Sequence, residues 1–196
     1  MFIAIHSVSD SFVDVYETKE KAILGVLLDV CAFDEIQDVI FDRAEVYDIE
    51  YFYSYPEDVI GEIADGFSAQ EQLDMYSKTL KAAMELVEEG EFAKISNEGE
   101  GHFPEYEVYL QVIEAPENAQ YYGALCYYDE DDHPGKNYIE VEFFNDKTSY
   151  NAFMDNRPTF DEELFGHGEL KPYKPEEHKT FEEMIKHAKK VFKGED

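Results

Sequence analysis

The chain has 196 residues, of which 44% are apolar and 15% aromatic, a composition that excludes a disordered acidic tail and predicts a core able to fold without disulfides or metal. Its 46 acidic and 16 basic residues give a formal net charge of −30. Such a surface repels a phosphate backbone and an anionic membrane, so neither direct nucleic-acid binding nor membrane binding is expected.

Phe2 to Ser7 and Phe12 to Glu17 read as two strands. Thr18 caps a predicted helix over 19–31, whose apolar face holds Ile23, Leu24, Leu27, Leu28 and Cys31. A second helix is predicted over 34–42, with Ile36, Val39 and Ile40 opposite Asp34, Glu35, Asp38 and Asp42. Glu45 to Tyr53, rich in Tyr, Ile and Val, predicts a strand, and Pro56 opens a short helix over 56–64. Ser68 and Glu71 form a capping box that starts a helix running to residue 89, and Gly90 ends it.

A loop over 96–104 precedes a β-rich stretch in which Glu105 to Ile113, Gln120 to Tyr128 and Tyr138 to Phe144 are predicted strands. Strand 120–128 carries no charge, which places it centrally in an antiparallel meander. Thr148 to Asn156 predicts a helix, Thr159 and Glu162 repeat the capping-box pattern, and 166–178 reads as irregular. Thr180 and Glu183 open a final helix to residue 193. The expected fold class is α+β: an N-terminal mixed α/β part (1–96), a β-rich part with a three-stranded antiparallel meander and peripheral helices (97–170), and a near-neutral C-terminal segment with a helix (171–196). That last helix is expected to pack on the same chain or a second copy, its Lys186, Lys189, Lys190 and Lys193 meeting the acidic body and leaving the acidic face clear.

Motifs of known chemistry do not occur. Cys31 and Cys126 are too few for a disulfide framework or a zinc site, and no two of the six histidines stand at ligand spacing. GxSxG, Walker and GxGxxG patterns are missing, so no cofactor is expected. The loop Asp129–Asp132 could hold a divalent cation but lacks the alternating ligands and central glycine of an EF-hand, and reads as a solvated hairpin tip. Glu17, Thr18 and Lys19 after Asp10 or Asp14 approach a nuclease-like carboxylate and lysine set, which keeps a small carboxylate-metal enzyme as an alternative. A polyanionic substrate would oppose this chain's field, so catalysis is not expected. The first basic residue is Lys19 and the longest apolar run is Ala22 to Leu28, which predicts no secretory leader and a cytoplasmic location.

The charge is unevenly placed. Residues 1–170 carry a net −31 and residues 171–196 a net +1, while 25–75 hold 14 acids and one base, Arg43. Mixed signs serve solubility with less self-repulsion, so solubility explains the sign and not the size. Glu outnumbers Asp and Lys outnumbers Arg, against a halophile's usual bias. Thirty charges match roughly 50 Å of duplex DNA, in a molecule whose compact diameter is about 40 Å. Crowding of this kind predicts carboxyl pKa values displaced upward.

Within this excess, Asp34, Glu35, Asp38 and Asp42 crowd one helix, Asp48 and Glu50 share a predicted strand face, and Glu57, Asp58 and Glu62 follow. Glu105 with Glu107, and Glu140 with Glu142, form smaller sets. Tyr47, Tyr51, Tyr53, Tyr109 and Tyr138 accompany them, a pairing that suits a protein interface. In charge and size the chain is similar to the nucleic-acid-mimic inhibitors of phages and mobile elements, the antirestriction and anti-CRISPR proteins. The resemblance covers composition alone. It implies a non-catalytic inhibitor that occupies the groove of a basic nucleic-acid-binding protein: a nuclease, restriction or CRISPR effector. The density of acids, and not the resemblance, makes Asp34, Glu35, Asp38, Asp42, Asp48, Glu50, Glu57, Asp58 and Glu62 the nine expected contact residues. An immunity protein or antitoxin against a basic nuclease toxin would use the same physics.

Overall fold

Sequence with no charge before its last residue takes the centre of each β-sheet in the computed structural model, which describes residues 1–7, 11–30, 34–92, 110–129, 136–156, 162–172, 174–175 and 178–194. The fold is mixed α+β, with two three-stranded antiparallel sheets and six α-helices among the described residues. The chain divides into two units, each drawing on two separate stretches: Met1–Ala22 with Glu100–Pro175, and Ile23–Gly99 with Glu176–Asp196.

In the first unit, β1 (Phe2–Ser7) lies between β2 (Ser11–Tyr16) and β3 (Leu110–Glu114), with Phe2 opposite both Tyr16 and Glu114. The second sheet has β4 (Tyr121–Asp129) between β5 (Lys136–Phe144) and β6 (Glu162–Glu169). The central position expected for strand 120–128 is observed, but the meander is not. The strand ending near Ile113 joins β1, and β6 takes its place beside β4.

Residues 162–169 therefore form a strand, where a capping box and irregular chain were expected. Gly166 explains part of the error. A side chain there would come within 2.9 Å of Val13 Cβ, so the glycine marks a close approach inside a strand. Ile3, Ile5 and Val15 of one sheet and Tyr122 and Ala124 of the other share one buried cluster. On the opposite side of β4, Phe153 of α5 (Lys147–Asn156) sits over Gly123, and Tyr150 stacks on Tyr121 at 5.0 Å. Asp146 caps α5 by accepting from the Thr148 and Ser149 backbone N–H groups.

The second unit is helical. It holds most of α1 (Lys19–Val30), and α2 (Asp34–Ala44), α3 (Pro56–Val59) with a 3-10 turn at Ile60–Glu62, α4 (Ala69–Glu89) and α6 (Phe181–Lys193). Two of the three expected capping boxes form, Ser68 with Glu71 and Thr180 with Glu183, while Thr159 of the third lies outside the described residues, and Gly90 and Gly194 close the two helices in the left-handed region. The predicted strand 45–53 is reduced to a single bridge, Ile49 with Ile63. Its polar backbone finds other partners: the buried Gln37 amide donates to the Phe52 carbonyl at 3.0 Å and accepts the Phe52 N–H at 2.8 Å. One side chain thus substitutes for a neighbouring strand.

Helix α6 packs on α4 and α3 through Met184, Ala188 and Phe192. Its expected packing on the same chain is observed. The lysines do not hold it: among the described residues no ion pair involves Lys186, Lys189, Lys190 or Lys193, and all four are exposed. No helix among the described residues is long and apolar enough to cross a membrane.

Candidate partner-binding surface

Helix α2 ends without a glycine. Glu45 takes the left-handed conformation instead, at φ 54°, while its N–H donates to the Asp42 carbonyl and the Val46 N–H donates to the Phe41 carbonyl. This is the Schellman pattern with glutamate at the position glycine usually fills. The turn sends the chain back along α2 and brings Tyr47, Ile49 and Glu50 beside Asp38, Phe41 and Asp42. Those six side chains line a groove of about 360 Å³. Left-handed backbone costs a residue with a Cβ about 1–2 kcal/mol. Glu45→Gly is therefore expected to raise stability by about 1 kcal/mol, read as a higher urea midpoint. A lower midpoint would show that the Glu45 side chain supports the turn.

The structure sorts the nine candidate carboxylates. Asp38 and Asp42 stand one turn apart on the exposed side of α2 and share the groove with Glu50. Asp48 and Glu50 are exposed on either side of the buried Ile49, the alternation expected of a strand surviving around its one bridge. The Glu50 N–H donates to the Glu62 carbonyl at 2.8 Å and the Ala64 N–H to the Asp48 carbonyl at 2.9 Å, so Glu62, half-buried, joins the same locality. Asp58 is exposed on α3. The side chains of Asp34 and Glu35, in the first turn of α2, lie outside the described set, as do Glu105, Glu107 and most of the loop 129–132.

Glu57 departs from the expectation of a clear acidic face. Its Oε1 lies 2.6 Å from His187 Nε2 on α6. Partial burial opposes its ionisation, but its own backbone N–H, the His187 imidazole and the charges of His187 and Lys179 outweigh that and lower its pKa. The C-terminal helix thus engages one of the nine. Other displaced carboxyls among the described residues also go down: Glu71 through the Ser68 hydroxyl and N–H, Asp146 through the Ser149 N–H, and Glu169 through Lys171. The expected upward displacement by crowding is not what these four show, because each has a local donor.

A lowered Glu57 pKa means its contribution is complete above the ordinary glutamate value of 4.5 and is lost as pH falls through the lowered one. For this exposed pair, Glu57→Gln is expected to cost at most about 1 kcal/mol near pH 6 and nothing near pH 2. Urea midpoints at the two pH values check this; an equal deficit at both would contradict it.

Elsewhere, the nuclease-like set is only partly described, and there Glu17 pairs with Lys21 at 3.0 Å. Among the described residues, no group of three or more His, Cys, Asp or Glu side chains is placed to hold a metal ion. Sequence reasoning missed the turn at Glu45, which has no glycine to signal it, and the reach of His187 to Glu57, which spans 130 residues of chain. Comparisons with family models, curated proteins and solved structures find no match.

Proposed function

We propose that the chain is a non-catalytic acidic inhibitor that occupies the basic nucleic-acid-binding groove of a partner protein in the host cytoplasm, by nucleic-acid mimicry. The observation that supports this reading best is where exposed apolar side chains fall. Among the described residues four large hydrophobic side chains are exposed, and three of them, Tyr47 at 71%, Tyr55 at 42% and Ile60 at 44%, lie within the acid-rich stretch. A surface serving solubility alone gains from charge and loses from exposed aromatics. Anchors of this kind inside a charged field are what a docked interface uses, charge setting the encounter rate and apolar contact the residence time.

The immobilised chain, challenged with host lysate and a salt gradient, is expected to retain basic nucleic-acid-binding proteins that elute at moderate salt. A retained protein should then lose its nucleic acid when the chain is added. A ternary complex of partner, nucleic acid and chain would refute occupation of the groove.

A further inference from the structure

We infer that the groove between α2 and the Tyr47–Glu50 segment receives an arginine side chain of the partner. The inference rests on the reading above and names the chemistry of its contact. Phe41 and Ile49, both buried, form an apolar floor, Tyr47 supplies an open aromatic wall, and Asp38, Asp42 and Glu50 supply negative charge. The three carboxylates share the groove without converging on a point, since no set of three among the described residues could hold a metal ion. A small spherical cation is therefore a poor occupant.

A guanidinium is flat, weakly hydrated on its faces and carries five donors spread in a plane. It can stack on the Tyr47 ring, lay its stem on the floor and reach separated carboxylates together. A lysine ammonium, compact and strongly hydrated, would use the charge and forgo the stacking. The side chains of Asp38, Asp42, Tyr47 and Glu50 make no hydrogen bond or ion pair with another described residue, whereas Glu57 and Glu89 already hold His187 and Arg43.

The test is calorimetric titration of the full chain with hepta-arginine and hepta-lysine, which carry equal charge. Hepta-arginine is expected to bind more tightly by about three- to tenfold. The preference is expected to vanish in Tyr47→Ala and to persist in Tyr47→Phe, both at an exposed position that leaves folding intact. Equal binding of the two peptides, weakened by salt, would overturn the arginine assignment and leave the mimicry reading standing. A preference that survives Tyr47→Ala would overturn the assignment to this groove. Binding of neither peptide would overturn both.

Discussion

Replacing Asp38, Asp42 and Glu50 together by lysine is expected to lower affinity for the basic partner by more than about tenfold and to slow association, with folding intact. All three side chains are exposed and line one groove, so the substitutions remove no packing. Exposed single ion pairs contribute only about 0.2–1 kcal/mol, but like charges held together in an interface cost several. The matching control is Glu114, Glu140 and Glu142 to lysine, three exposed acids of the first unit whose reversal changes the net charge equally. If binding followed net charge alone, both triple variants would weaken it alike. Stopped-flow association at two salt concentrations separates the cases, because charges beyond about 10 Å are screened at 0.1 M ionic strength. A control that abolishes binding while the groove variant binds normally would move the interface to the first unit.

Ending the chain after Pro175 is expected to unfold the second unit and cause aggregation. Helix α6 is held by Met184 and Ala188, both 0% exposed, and by Phe192, whose ring meets Tyr76 edge-on at 5.8 Å. Tyr76 is itself fully buried and donates its hydroxyl to the Ser54 carbonyl, while the Ser54 hydroxyl donates to the Leu27 carbonyl at 2.6 Å. Removing α6 would uncover the tyrosine that ties α4 to the 52–54 segment and, through Ser54, to α1. Met184→Ala tests the same contact in the intact chain and is expected to cost about 2–4 kcal/mol, a large part of the roughly 5–15 kcal/mol that stabilises a typical domain. Urea denaturation and light scattering read both variants. A soluble truncated chain with unchanged melting, or a Met184→Ala midpoint equal to that of the wild type, would show the helix to be dispensable.

Much of the second unit was legible because its signals are local. The Ser68–Glu71 and Thr180–Glu183 boxes and Gly90 after α4 each lie within a few turns of chain and form as read, and of the apolar faces read for α1 and α2, Ile23, Leu24, Leu27, Ile36 and Ile40 are buried while Leu28 and Val39 are half-buried. The central place of β4 was legible as well, since an uncharged strand can be covered on both edges. The pairings were not. Strand β3 joins β1 across more than a hundred residues, and β6 displaces it beside β4, because a strand's partner is set by which apolar faces close one core. Residues 45–53 show the same limit in reverse. Their β-propensity is plain, yet Gln37 satisfies the backbone that a neighbouring strand would have paired.

The candidate surface divides in the same way. Charge is a sum over residues, so composition alone establishes the acidic excess and its density between residues 25 and 75. Which carboxylates stand open depends on what the fold sets beside them. The left-handed turn at Glu45 gathers Asp38, Asp42 and Glu50 around Tyr47, and α6 carries His187 onto Glu57. Acids alike in sequence become an open groove in one place and an internal ion pair in another, because an electrostatic contact is decided over a few ångströms of space and not along the chain.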